Sequence, residues 1–295
     1  MSTNNLSRRD FLSLGSSSSL LLSAVMTGCK NKEITFGIIT DLHYADKEST
    51  GSRIYRDSGE KLRECIETIT PLKPAFLIEL GDFIDAADKE AELGFLRNIN
   101  SIFREFEGGC HHVIGNHDVA TFTKDEFVRL IGMRGNYYSF DRDAFHFIVL
   151  DANYNRDFSD YNAGNFDWTE TYIPPHEQEW LKRDLAHSKR KTAIVFIHQV
   201  LHDEGDPHGV KNAVEVRRIL EDAGNVAAVF QGHDHSGGYM EINGIHYITL
   251  RAAVEGPGLE NNSFAVVFLS SDGTMLVEGY KRQESYELKL KRSRE

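Results

Sequence analysis

The stretch Phe36-Gly37-Ile38-Ile39-Thr40-Asp41-Leu42-His43 sets the reading of the whole chain. Residues 34–40 form a short, largely apolar run with the composition of a buried strand. The run ends abruptly on Asp41 and His43, two side chains able to bind a metal ion. In open α/β sheets, sites form beyond the carboxyl ends of the strands. An acid and an imidazole at such an end prompt a search for other strands that end alike.

Four more do. Residues 75–80 run into Gly81-Asp82-Phe83-Ile84-Asp85, and residues 111–114 into Gly115-Asn116-His117-Asp118. Residues 192–197 run into His198, and 226–231 into Gly232-His233-Asp234-His235. Between these runs lie segments of helical period: 57–69, with Leu62, Cys65, Ile66 and Ile69 on one face, then 89–106, one from about Lys124, 177–186 and 212–223. Asp57 or Ser58 is placed to cap the first of these, and Asn212 the last. Strand and helix in alternation indicate a βαβ-type α/β fold. Residues 137–140 and 144–150 read as paired strands around Asp141-Arg142. The end of the chain changes character, with strands at 238–242, 245–250, 264–269 and 274–279 and hairpin turns at Asn243-Gly244 and Asp272-Gly273. No repeat or linker divides this region, so one domain is expected over residues 34–280, followed by a charged tail at 281–295.

Composition narrows the function. The chain has 295 residues and a formal net charge of −12, with no basic block, which excludes a nucleic-acid partner. A mean hydropathy of −0.40 excludes an apolar membrane bundle. Three cysteines without a CxxC pair build neither a disulfide framework nor a thiolate zinc site. Cys65 and Cys110 are expected as free thiols, and His111 and His112 as packing residues.

The strand ends supply Asp41, His43, Asp82, Asn116, His198, His233 and His235. Mixed carboxylate, amide and imidazole donors suit manganese, with iron or zinc as alternatives, rather than calcium or magnesium. Seven ligands exceed one tetrahedral ion and match two ions sharing a bridging carboxylate. Two such cations outweigh the carboxylates of Asp41 and Asp82, so the pocket is positive although the chain is acidic.

Taken in order, the blocks D-x-H, GDxxD, GNH[DE], H and GHxH resemble the calcineurin-like metallophosphoesterases, over residues 34 to 279 or so. The resemblance implies a four-layer α/β/β/α sandwich of two mixed β-sheets flanked by helices. It implies that Asp41, His43 and His235 hold one metal, that Asn116, His198 and His233 hold the other, and that Asp82 bridges them. It further implies attack on phosphorus by a metal-bridging hydroxide, with His117 facing the leaving oxygen and Asp85 orienting His117. Asp85 is followed by Ala86, where protein serine/threonine phosphatases carry arginine. Tyr44-Ala45-Asp46, Arg53-Ile54-Tyr55-Arg56, Ser236-Gly237-Gly238-Tyr239 and His246-Tyr247 resemble the manganese-dependent ADP-ribose/CDP-alcohol diphosphatase branch. That branch often has Gln where this chain has His43. The same resemblance puts Tyr55, Arg56, Asn212 and Glu255 at the pocket rim, with surface or capping roles as the alternative. His202 and His208, in the loop after His198, are within reach of a substrate.

The expected function is therefore hydrolysis of small organic phosphates, either nucleotide-type diphosphates or monoesters. A phosphodiesterase, including one for cyclic nucleotides, and a silent surface protein that keeps the metal site are the alternatives. Arg8-Arg9, the Ser-rich apolar run 14–25 and Gly28-Cys29 resemble a twin-arginine export signal with a lipoprotein processing site. Residues 1–28 are expected to be that signal and 29–33 a tether. The twin-arginine machinery would then carry the protein to the periplasm or cell surface, anchored in the membrane only through a lipid on Cys29.

Overall fold

The structure, a computed structural model, describes residues 33–290. The expected signal, Cys29 and the tether as far as residue 32 lie outside the described residues, as do residues 291–295. In chain order the first half forms β1 (Glu33–Ile39), α1 (Ser58–Ile69), β2 (Phe76–Glu79), α2 (Lys89–Phe103), β3 (Gly109–His112), α3 (Lys124–Ile131), β4 (Tyr138–Arg142) and β5 (Phe145–Val149). The second half forms α4 (Pro175–His187), β6 (Thr192–Phe196), α5 (Ala213–Ala223), β7 (Val226–Gln231), β8 (Gly238–Ile242), β9 (Ile245–Thr249), β10 (Ser263–Ser270), β11 (Thr274–Lys281) and β12 (Tyr286–Lys289).

These strands make two six-stranded sheets, ordered β12-β11-β10-β1-β2-β3 and β4-β5-β6-β7-β9-β8. Strands β1, β2 and β3 run parallel in the first, and β5, β6, β7 and β9 in the second. The antiparallel strands sit outside those parallel cores, so both sheets are mixed. Inner faces meet in one apolar layer where Phe36 stacks on Phe76 at 4.8 Å and meets Phe147, Phe196 and Phe230 edge-on. Outer faces are covered by α1, α2 and α3 on one side and α4 and α5 on the other. This is the expected four-layer α/β/β/α sandwich. No helix among the described residues is long and apolar enough to cross a membrane.

Most boundaries shift by one or two residues from the sequence reading, and three of the differences follow from visible contacts. Strand β3 begins two residues before the expected 111–114, because its register pairs Gly109 with Phe76 and His112 with Glu79. Helix α2 stops at Phe103 rather than at 106, where residues 104–106 turn toward β3. The expected tail is folded as far as residue 290: β12 pairs antiparallel with β11, and Leu290 is buried.

Candidate metal centre

Five segments reach one point because parallel strands deliver their carboxyl ends to the same edge. Asp41 and His43 follow β1, Asp82 follows β2, Asn116 and His117 follow β3, His198 follows β6, and His233 and His235 follow β7. Asp41, His43, Asp82 and His233 all have left-handed backbones, with φ of 51°, 44°, 56° and 68°. Non-glycine residues hold that conformation only where surroundings impose it, and such strain clusters at functional sites. The glycines beside them serve close approach. A Cβ on Gly115 would run into the amide and carboxylate of Asp82, and one on Gly232 into the Thr40 hydroxyl and Asp41 Oδ2.

The donors fall into two groups sharing one oxygen. His235 Nε2 lies 3.2 Å from His43 Nε2 and 3.5 Å from Asp41 Oδ1. Across the centre, His198 Nε2 lies 3.1 Å from His233 Nδ1. Asp82 Oδ2 sits between them, 3.5 Å from His43 Nε2 and 3.3 Å from His198 Nε2. Asp82 Oδ1 is held elsewhere, accepting from the His117 backbone N–H at 2.8 Å.

Hydrogen bonds on the far side of the rings set which nitrogens face inward. His198 Nδ1–H donates to the Leu80 carbonyl at 2.9 Å, and His235 Nδ1–H to Glu255 Oε1 at 2.6 Å. Each neutral ring then turns an Nε2 lone pair to the centre. Asp41 Oδ2 accepts from the Thr40 hydroxyl and the His233 N–H, while Asp41 Oδ1 has no hydrogen-bond partner. Asn116 is likewise buried with an unpartnered Oδ1. Converging lone pairs and orphaned buried oxygens repel one another unless a cation lies between them. The donor set therefore fits two transition-metal ions; its clusters bring together Asp41, His43, Asp82, His198, His233 and His235, and Asn116 lies buried in the adjoining loop.

The charges agree. Burial alone would raise Asp41, but His235 and His43 hold it well below the usual carboxylate range. Burial would lower His198 and His235, yet Asp82 beside the first and Asp41 beside the second push each up to about 9. The centre is thus a sink for positive charge, which metal ions supply in the loaded protein.

His117 stands at the mouth, its Nδ1 2.6 Å from Asp85 Oδ1. Asp85 Oδ2 is 3.1 Å from the Lys47 ammonium, which lies over the Tyr55 ring at 4.5 Å and donates to the Ala86 carbonyl. Asp85 is thereby pinned between the His117 imidazole and the Lys47 ammonium, and His117 and His43 hold it far below its usual range against the effect of burial.

The expected rim residues are placed less uniformly. Tyr55 is buried among Ala45, Ala252 and Val254. Arg56 is exposed and paired with Asp46 and Glu48 at 2.6 and 2.9 Å. Asn212 occupies the N-cap position of α5 without capping it. Its amide instead clasps the backbone N–H and carbonyl of Ile173. His202 Nδ1 accepts from Gln231 Nε2 at 2.6 Å. Glu255 does reach the centre, as the partner of His235. His111 and His112 are packing residues, against Phe140 and Phe103 respectively.

Two side chains that hold the centre carry no separate signal in the sequence. Lys61 is buried and donates to the carbonyls of Ala253, Glu255 and Gly256 at 2.7, 3.2 and 2.7 Å, fixing the loop that carries Glu255. Asp118, last residue of Gly115-Asn116-His117-Asp118, accepts from four backbone amides of the two loops that present Asp82 and Asn116.

The calcineurin-like phosphoesterase profile matches residues 34–237, more than half of the chain. The chain belongs to that family. Relatives of this phosphoesterase named manganese-dependent ADP-ribose/CDP-alcohol diphosphatase occur in Xenopus tropicalis and Oryza sativa subsp. japonica, each 27% identical. The alignments cover 82% and 85% of this chain and 90% and 92% of the relatives. A dimetal phosphatase from Danio rerio superimposes with a TM-score of 0.76 at 23% identity, over 87% of this chain and 98% of that one, and so shares the fold. The phosphoesterase is a metal-dependent hydrolase of phosphoric esters, and its histidine–aspartate clusters offer positions for the metal ions.

Proposed function

We propose that this phosphoesterase is a manganese-loaded diphosphatase that cleaves nucleotide-type diphosphates such as ADP-ribose or CDP-alcohols. The observation that carries this reading is the position of Asp82 Oδ2 between His43 Nε2 and His198 Nε2, which sets two cation positions side by side. The names of the relatives that span most of the chain point to the substrate class. Paired metal ions clamp a phosphoryl group and make a water-derived nucleophile available near neutral pH.

The chain's own residues do the rest. Asp41, His43 and His235 on one side, and Asn116, His198 and His233 on the other, would hold the two ions, and backing hydrogen bonds fix Asp41, His198 and His235 in place. The new P–O bond forms in line with the one that breaks, and the leaving oxygen needs a proton. As an imidazolium, with its Nδ1–H donating to Asp85, His117 would offer the Nε2 proton to that oxygen and be left neutral. Lys47 keeps Asp85 in place for this task.

The test is phosphate release by the manganese-loaded protein from ADP-ribose, CDP-choline, p-nitrophenyl phosphate and bis-p-nitrophenyl phosphate. Diphosphatase action yields phosphate from the nucleotides only when a phosphomonoesterase is added. Direct release from the simple monoester, with the nucleotides inert, would overturn the reading. We also infer export, from Arg8-Arg9 ahead of the apolar run and Cys29. Replacing Arg8-Arg9 with Lys-Lys should retain the protein in the cytoplasm, and unchanged export would refute it.

A further inference from the structure

Two aromatic side chains outside the ligand set close one flank of the centre. The Trp168 indole lies edge-on to the His233 imidazole, with centroids 5.5 Å apart and planes at 79°. The His208 ring fills the angle between them, 5.4 Å from Trp168 and 5.1 Å from His233. His233 is a buried member of the ligand set, so both rings stand beside the second cation position.

Both rings are held from behind. The Asp206 carboxylate accepts from the backbone N–H and the ring Nδ1 of His208, at 2.8 and 2.7 Å. The buried Tyr161 donates its hydroxyl to the carbonyls of Asp167 and Glu170, at 2.8 and 3.0 Å. Asp167 in turn accepts from the N–H and hydroxyl of Thr169. The loop carrying Trp168 is therefore fixed on both sides of the indole. Even so, Trp168 is 41% exposed, leaving a broad apolar face against water. Of the exposed aromatic side chains among the described residues, Phe158, Trp168 and Tyr239, Trp168 alone sets its ring against a histidine of the cluster.

We propose that the Trp168–His208 wall stacks the nucleobase of the substrate while the metal centre holds the phosphate; this rests on the diphosphatase reading above. A rigid wet aromatic face beside a phosphate site suits a planar heterocycle one sugar away from that phosphate. Stacking reads the π-face that every base has, so adenine and cytosine are accepted alike. A phosphate that carries no base leaves the wall wet and gains nothing from it.

The experiment uses the full chain loaded with Mn2+. Trp168 and Trp180 are the two tryptophans of the sequence, so Trp180→Phe isolates the Trp168 emission. AMP, CMP and ribose 5-phosphate are titrated by fluorescence and by calorimetry. AMP and CMP should quench Trp168, and ribose 5-phosphate should bind without quenching. Trp168→Ala should weaken AMP and CMP about tenfold and ribose 5-phosphate by less than about twofold, with Trp168→Phe recovering most of the loss. Equal weakening of all three ligands, or of none, would overturn the proposal. Cleavage of the nucleotides without quenching would remove the stacking wall and leave the diphosphatase reading intact. Quenching by AMP in a protein that cleaves no diphosphate would support the wall and remove the reading.

Discussion

Asp118→Asn tests whether the centre is built on a shared anchor. The Asp118 side chain is wholly buried and receives four backbone N–H groups. Oδ2 accepts from Asp82 and Gly115 at 3.0 and 2.8 Å, and Oδ1 from Phe83 and Ile84 at 2.9 and 3.3 Å. Asparagine keeps the shape but turns one acceptor oxygen into an amide that faces two donors. Each buried N–H left without an acceptor costs about 1–3 kcal/mol, so the variant should lose about 2–6 kcal/mol. With a urea slope of about 3 kcal/mol per M, the lower bound moves the unfolding midpoint down by about 0.7 M. The assay is metal-free urea unfolding by circular dichroism at about pH 8, above the value of about 7 to which burial and Asp82 push the Asp118 carboxyl. A midpoint shift under about 0.2 M at unchanged slope would refute the anchor, because the four hydrogen bonds would then carry almost no stability. Manganese affinity is read in parallel. Asp82 and Asn116 lie on the two loops that Asp118 ties together, so affinity should fall with stability.

Three further outcomes follow from the same geometry. His117→Ala should keep both metal ions by elemental analysis yet lose about 10²–10⁴ in turnover, most for substrates with poor leaving groups. A loss equal across leaving groups would leave His117 only a positioning role. Lys61→Met removes the donor to three carbonyls around Glu255 and should cost about 2–4 kcal/mol. Manganese affinity should weaken too, since Glu255 orients His235, and unchanged affinity would sever that link. His146 lies between Asp184 and Asp141, both at 2.7 Å, and these carboxylates raise its pKa against the effect of burial. A raised folded value makes the clamp's contribution complete below about pH 6.5, the unfolded value, and lost as pH climbs through the folded one. The stability gap between wild type and His146→Gln should therefore narrow as pH rises above about 6.5, and a constant gap would contradict the charged clamp.

The clustered aspartates and histidines were legible as candidates because each lies within a few residues of a strand end, and a buried strand announces its end by the switch from apolar to polar side chains. What surrounds the ligands depends on contacts far apart in sequence. Lys61 meets Ala253 across 192 residues, and Asp118 meets Asp82 across 36. A lysine in a helical run and the last letter of a motif carry no mark of such pairings. Tyr55, Arg56 and Asn212 show the converse. Their neighbours in sequence suggested a rim, but burial, a surface ion pair and a clasp on Ile173 claim their side chains. Strand β12 escaped notice because its four residues alternate burial among charged neighbours, a pattern also proper to a solvated tail.

Trp168 marks where the two kinds of information meet. Its residue type could be read from the chain, but its position against His233 depends on how two exposed loops are tied down by Tyr161 and Asp206. One fold hosts many functions, and what holds a metal ion need not choose the substrate. Differences in substrate must then arise from side chains like this one, which touch the centre without binding the metal and belong to no motif. A search for the substrate of such a phosphoesterase is better directed at the walls of the centre than at its ligands.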